Sequence, residues 1–378
     1  MKTFNKKTSV FREKLKYISD NTYMVSKVFF ILAIVALLCR TVCRLSAHFA
    51  DFFVRYVASA VRLVMTSISN FLPFSLAEIL VMLIPLIFVG IVICAVIFSK
   101  SKESTTRFIA LLLSIVALIY FLFVFTYAAG FQTHTVDKVF DLKQEKVSVE
   151  ELKDTADWLS ETANSLADKG LISGKNSKMP FSWDELNEEI NHAFGTVNSR
   201  YDFFCNCYTR TKPIILSNLM SYTHTLGVYT FFTGEASINT TYPDYTTVFT
   251  CAHEMAHQRG IARENEANFV AFIVCISSEN KYIQYCGYLN MLEYVLNAIH
   301  DADFSLYCEI VTSLPPSILN EMLGYSEIYK KYDDTPVGDI SQTINDTYLK
   351  SQGTEGTKSY GMVVDLAVAY YKSLKAVK

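Results

Sequence analysis

Three long apolar segments near the N-terminus constrain the fold more than any other feature of this sequence. Residues 79–98 and 108–129 contain no charged side chain, and residues 28–39 form a shorter apolar core that reaches spanning length only with its flanks. A helix needs about 20 residues to cross a hydrocarbon core roughly 30 Å thick. The sequence therefore predicts that residues 1–130 form a membrane region, partnered by a lipid bilayer, with transmembrane helices at about 24–41, 77–98 and 108–129.

The first apolar segment also has the basic start and apolar run of a signal peptide. A signal peptide ends in a small-x-small cleavage site. No such site follows before Arg40 and Arg44, so we interpret the segment as a retained anchor.

Residues 50–72, between the first two spans, show a helical repeat of apolar side chains. The charged Arg55 and Arg62 fall outside this repeat. Such a pattern is typical of a helix that lies at the membrane interface. A partly buried connector that packs on the rest of the chain is the alternative interpretation. The apolar positions of the repeat are Phe53, Val57, Val61, Val64 and Ile68.

The short loops that are rich in Lys and Arg indicate the orientation, because such loops stay in the cytoplasm. The N-terminal tail is basic, and the loop between the second and third spans contains Lys100, Lys102 and Arg107. Four arginines between residues 40 and 62 weaken this bias. We expect a multi-pass protein of the cell membrane, with everything after about residue 130 extracytoplasmic.

The remaining chain, residues 131–378, is long enough to bury a core of its own. Two S-x-x-E patterns, at Ser148 and Ser182, are typical of helix starts, and residues 227–233 and 237–242 have the composition of short strands. The predicted fold class is therefore α+β, mostly helical with a small sheet. Further helices are expected near residues 263–279, 281–300, 316–332 and 359–375.

The charge balance excludes one class of function. The chain has 34 Lys and Arg against 37 Asp and Glu, so it lacks the positive field on which nucleic-acid binding depends. We predict no nucleic-acid partner.

The chemistry of the chain is indicated by the segment His253-Glu254-Met255-Ala256-His257. On a helix, residues four apart lie on one face, so both imidazoles can bind the same ion. Glu254 is rotated away from that face but can reach a water molecule that the ion holds. This H-E-x-x-H arrangement is typical of zinc hydrolases, in which the metal activates water and the carboxylate accepts its proton.

A catalytic zinc needs a third protein ligand and one open position. Gly260 is well suited to end the first helix, so a second helix can begin near Ala262 and return beside the first. The third ligand is expected in its opening turns, which contain Glu264 and Glu266. An acidic pair at a helix N-terminus, stabilised by the helix dipole alone, is the alternative interpretation of these residues.

The segment resembles two zinc-peptidase patterns. In the metzincins the motif continues to a third histidine, but Arg263 stands at that position and cannot bind zinc. In the gluzincins a glutamate of a later helix, often within E-x-x-A-N, is the third ligand. Residues 264–268 match that form, which implies Glu264 as the ligand and Asn268 as the partner that orients a histidine. The connection is unusually short for a gluzincin, so Glu266 stays a competitor.

Nearly the full chain looks like a bacterial domain-of-unknown-function family of membrane-anchored H-E-x-x-H proteins. Besides the three apolar segments, the resemblance is carried by Lys212-Pro213, by residues 233–237 and by the motifs HEMAHQRG and ENEANF. It implies a zincin-like zinc-peptidase domain at 131–378 and leaves the substrate open.

A peptidase also needs a sheet edge that binds the substrate backbone and a donor that stabilises the oxyanion. One of the two predicted strands is expected to form that edge, although both could belong to a hairpin that only packs. Tyr360 is our candidate for the catalytic donor, with Tyr348 and His224 as alternatives.

The sequence thus predicts a membrane-anchored zinc metallopeptidase whose substrate is a peptide or protein. His253, His257 and Glu264 or Glu266 would bind Zn²⁺, and Glu254 would be the general base. Two alternatives stay open: a non-catalytic, zinc-stabilised domain that binds or senses envelope components, and a zinc hydrolase of a non-peptide amide or ester.

Overall fold

The chain is mostly helical with one small sheet, as predicted from the sequence. The structure is a computed structural model. It describes residues 13–14, 16–18, 20–167, 176–205, 207–333 and 335–376, except the side chain of Tyr360.

Within the described residues of the N-terminal region, four helices are long and apolar enough to cross a membrane. Three of them lie where spans were predicted, and their bounds differ from the prediction by a few residues. The third predicted span ends earlier, at Thr126, because residues Ala128–Gln132 form a 3₁₀ turn. The four helices are α1 (Met24–Leu45), α2 (Ala47–Asn70, with a π-helical stretch at Phe53–Ala58), α3 (Leu76–Phe98) and α4 (Lys102–Thr126).

Helix α2 is the segment that was predicted to lie at the interface. It is bonded to the rest of the chain along its length: Asp51 accepts from the amide of His134 at 2.9 Å, and Lys212 donates to the carbonyl of Ser69 at 2.7 Å. Its other face is apolar and exposed at Tyr56, Leu63, Val64 and Ile68. This helix therefore packs on the rest of the chain while keeping the free apolar face that an interfacial helix needs.

The sheet has the order β1-β3-β2. Strand β2 (Gly227–Thr230) is antiparallel to β3 (Glu235–Ile238), and β1 (Thr211–Pro213) is parallel to β3. The predicted strand at 227–233 ends at Thr230, because the chain turns through Gly234, whose φ is 71°. Strand β1 was not predicted, since three residues that include a proline give no alternating pattern.

The predicted helices are present, and both S-x-x-E patterns begin helices with reciprocal bonds between the serine and the glutamate. Four helices among the described residues were not predicted: Val136–Val139, Ser217–Met220, Phe304–Ser313 and Pro336–Ser351. The helices after the membrane region are α5 (Val136–Val139), α6 (Val149–Ala167), α7 (Trp183–Tyr201), α8 (Ser217–Met220), α9 (Asp244–Gln258), α10 (Glu264–Ile276), α11 (Lys281–Ala302), α12 (Phe304–Ser313), α13 (Pro316–Lys331), α14 (Pro336–Ser351) and α15 (Val363–Ala376).

Helices α9 and α10 occupy the centre of the core. Every residue of α9 from Tyr245 to Gln258 is buried, polar residues included, and α10 is buried almost as completely. Because buried polar groups cost free energy unless they are paired, the polar residues of α9 need partners in the interior.

A buried ion pair joins the sheet to the membrane region. Lys212 of β1 pairs with Glu235 of β3, and both side chains are buried. The Glu235 carboxylate also accepts from the amides of Leu76 at 3.0 Å and Ala77 at 2.8 Å, which begin α3 and have no partner within the helix. This carboxylate therefore fixes the start of α3 against the sheet.

Replacing Glu235 should destabilise the fold strongly. In Glu235→Ala the buried Lys212 ammonium loses its counter-ion, which costs about 3–5 kcal/mol of unfolding free energy. Asp157→Ala is the matched control, because it removes the exposed pair of Asp157 with Lys153, worth about 0–1 kcal/mol. Chemical unfolding of the purified chain in detergent would measure both; equal losses would contradict the assignment.

Candidate metal centre

Two consecutive helices bring the motif residues together. His253 and His257 lie one turn apart on α9, and Glu264 is the first residue of α10. Gly260, with φ 100°, ends the turn after α9 as predicted. A Cβ at this position would lie 2.8 Å from Nη2 of Arg62, so both the backbone angle and the packing of α2 require glycine.

The three side chains present their donor atoms to one point. The two histidine Nε2 atoms are 3.0 Å apart, and Oε2 of Glu264 is 3.2 Å from that of His253 and 3.4 Å from that of His257. A tetrahedral ion with bonds of about 2.0–2.1 Å holds its ligand atoms about 3.3 Å apart. This buried His-His-Glu group could therefore hold a divalent metal ion.

The ring of His257 is oriented by its surroundings. Its Nδ1 lies 2.6 Å from the carbonyl oxygen of Ile261, so that nitrogen donates and Nε2 is free to bind a metal. Tyr127, just after α4, packs edge-on against the ring at 5.5 Å, and Tyr229 of β2 stacks on it at 6.4 Å. The Tyr127 hydroxyl also lies 3.5 Å from Oε1 of Glu264.

The charges of the site favour a cation. Burial alone raises the pKa of Glu264, but His257 and His253 outweigh it and hold this pKa well below its usual range. Burial alone lowers the pKa of His257, but Glu264 and Glu254 outweigh it and raise this pKa to about 9. The carboxylates thus stabilise positive charge between the imidazoles, which a divalent ion supplies.

Glu254 lies beside the group without belonging to it. Its side chain is buried, its Oε2 has no hydrogen-bond partner among the described residues, and the amide of Tyr229 donates to its carboxylate. Burial raises its pKa, which suits a group that must take up a proton. Gly227 leaves room for it, since a Cβ there would lie 2.6 Å from Oε1 of Glu254.

Glu266 is placed apart from the two histidines. Its carboxylate accepts from Arg263 at 2.9 Å and from the amide of Val136 at 3.3 Å. Arg263, at the metzincin ligand position, also donates to the carbonyls of Phe131 and Thr133. The structure thus brings Glu264, rather than Glu266, to the histidines.

The predicted role of Asn268, which was to orient a histidine, stays a prediction. Its side chain bonds to Tyr294, and the carbonyl of Ile261 orients His257.

The candidate oxyanion donors have different positions. Tyr360 ends the 3₁₀ segment Gly356–Tyr360, and its side chain lies outside the described residues. Tyr348 of α14 packs against the cluster of Phe131, Ala262 and Leu349. His224 stacks on Tyr329 at 4.2 Å.

Sequence reasoning missed Tyr127, Tyr229, Gly227 and the Ile261 carbonyl. No sequence motif marks them. Tyr127 follows α4, and Gly227 and Tyr229 belong to β2, and only the fold brings these elements next to α9. The one available signal was that Tyr127 lies near the end of the third apolar segment.

A family model described as "Protein of unknown function (DUF3810)" matches residues 53–368 of the chain. No curated protein and no solved structure is significantly similar to it.

Removing the third ligand should release the metal. In Glu264→Ala we expect the metal content of the purified chain to fall from about one ion per chain towards zero, because two histidines alone bind an ion weakly. Glu266→Ala, two residues away on the same buried helix, should keep its ion. Mass spectrometry of bound metals measures both; loss of metal from Glu266→Ala alone would reassign the ligand.

Proposed function

We propose that this chain, which belongs to the DUF3810 family of proteins of unknown function, is a membrane-anchored zinc metallopeptidase. The observation that carries the proposal is the buried carboxylate of Glu254, with one oxygen unpartnered among the described residues, next to a group of three metal-binding side chains. A purely structural metal site has no use for such a group, and an unpaired buried carboxylate oxygen is costly. A water molecule shared with the ion would pair it.

Zinc is the metal that suits these ligands best. Two imidazoles and one carboxylate with tetrahedral spacing form the ligand set of catalytic zinc sites, which keep a fourth position open. Calcium and magnesium prefer six or more oxygen ligands. His253, His257 and Glu264 would hold the ion, and the ion would lower the pKa of bound water and polarise the substrate carbonyl.

The chain's own residues supply the proton transfers. Glu254 would accept a proton from the attacking water at Oε2 and pass it to the departing amine nitrogen. The amide of Tyr229 holds the carboxylate in position. The Ile261 carbonyl accepts from Nδ1 of His257, which would leave Nε2 of that ring free to hold the ion.

A peptide substrate is supported by the position of β2. This strand is at the edge of the sheet and begins at Gly227, in contact with Glu254. An extended peptide could add to such an edge through main-chain hydrogen bonds, which would place its backbone beside the base. A non-peptide amide would have no use for this edge.

The extracytoplasmic placement of the site is part of the proposal. The end of α1, the start of α3 and the end of α4 all contact the later chain, through Arg40, Leu76 and Thr126. The opposite ends of α3 and α4 carry Lys100 and Lys102. The positive-inside rule assigns those ends to the cytoplasm.

Replacing the base should abolish hydrolysis without releasing the metal. For Glu254→Gln we expect the hydrolysis of an internally quenched peptide library to fall about 10²–10⁴-fold, the usual contribution of a general base, at unchanged zinc content. Glu188→Gln, an exposed change on α7, should have no effect. Full activity of Glu254→Gln would contradict the assignment.

Crowding the base should lower the rate in the same way. In Gly227→Ala the new Cβ collides with the Glu254 carboxylate, so we expect a reduced kcat with the zinc retained. Gly195→Ala is the matched control, because a Cβ at Gly195 meets nothing within 4 Å. Steady-state kinetics of both variants test this; equal kcat values would show that Gly227 does not position Glu254.

A further inference from the structure

Helix α14 carries an apolar stripe that no other part of the described chain covers. Val337, Ile340 and Ile344 recur at helical spacing and are 50%, 59% and 64% exposed. The opposite side of the helix carries polar residues such as Gln342. An amphipathic helix of this kind buries its apolar face against a partner outside the described chain.

The stripe is continuous with the membrane region. It runs on to Tyr348, whose ring lies 6.3 Å from that of Phe123 in α4. Just beyond the helix, Gln352 accepts a hydrogen bond from Arg40 of α1 at 3.0 Å. The end of α14 therefore lies where two membrane helices leave the bilayer.

A second exposed apolar patch lies at the start of α3. Ile215 and Leu219 are 78% and 63% exposed. The carboxylate of Glu78 in the first turn of α3 accepts from the amides of Ile215 at 3.1 Å and Leu216 at 2.8 Å. Both patches thus adjoin membrane helices.

Helix α14 also runs past the metal centre. At its start, a Cβ on Gly338 would lie 3.2 Å from the ring of His224, three residues before β2. At its end, Leu349 packs with Phe131 and Ala262, two residues before the ligand Glu264. The helix therefore connects the beginning of the substrate strand to the beginning of α10.

We propose that the bilayer surface covers the stripe of α14, so that the metal centre opens at the membrane surface. The substrate class follows, and this step rests on the proposed peptidase function: the substrate is an extended peptide segment next to the membrane anchor of another protein. Such a segment would reach β2 along the bilayer, between the patch at Ile215 and the stripe at Ile344.

The bilayer contact can be measured without any activity. The full-length chain carrying Ile344→Trp is reconstituted in phosphatidylcholine vesicles with or without brominated acyl chains. An interfacial helix buries its apolar side about 5–10 Å into the acyl boundary, so the added fluorescence should be quenched by bromine. Gln342→Trp, on the opposite side of α14, is the matched control. Quenching at residue 344 no greater than at residue 342 would overturn the proposal.

The substrate class is tested with one peptide in two forms, anchored by a lipid in the same vesicle or free in solution. For Ile340→Lys combined with Ile344→Lys, we expect the ratio of anchored to free cleavage to fall at least about tenfold, because both apolar contacts with the bilayer are lost. Gln342→Lys should keep the wild-type ratio. An unchanged ratio in the double variant would overturn the substrate class. Cleavage of neither peptide by the wild-type chain would refute the peptidase function, while the quenching comparison still decides the bilayer contact.

Discussion

The burial of Glu264 between two imidazoles is the interaction on which the rest of the structure depends. Carboxylates and imidazoles in a core are tolerated only when their charges are compensated. Here the carboxylate and the imidazoles compensate each other. This requires that α9 end just after His257 and that α10 return beside it. Gly260 permits this turn, and the Ile261 carbonyl within it orients His257. The polar α9 can therefore lie at the centre of the core.

The N-terminal apolar helices contribute to the candidate metal centre rather than forming a separate unit. Tyr127 at the end of α4 contacts both His257 and Glu264, and Arg62 of α2 packs against Gly260. A Cβ at Gly130 would lie 2.5 Å from the Gly260 carbonyl, so the chain just after α4 lies against the turn after α9. The amino-acid composition changes near residue 130, but side chains from both sides of this position pack together. Experiments on the site therefore need the full chain.

The sequence predicted the parts of this structure that depend on local patterns. Uninterrupted apolar runs located α1, α3 and α4, and the spacing of His253 and His257, with two glutamates shortly after them, located the group that could hold a metal. It did not reveal β1, whose pairing with β3 involves distant residues, or α14, whose apolar side is too narrow to stand out. The choice between Glu264 and Glu266 also lay beyond it, because both stand in the first turn of α10 and only the packing pairs Glu266 with Arg263 and the Val136 amide.

On the proposed function, a short edge strand is enough to bind substrate because the membrane contributes the rest. Strand β2 has four residues, and so few main-chain bonds give weak affinity, each being worth about 0.5–1.5 kcal/mol net. When enzyme and substrate share one bilayer, the encounter resembles an intramolecular event with a high effective concentration. A site that opens at the membrane surface would then cleave anchored substrates efficiently while it binds free peptides poorly, so selectivity would come from location more than from side-chain pockets.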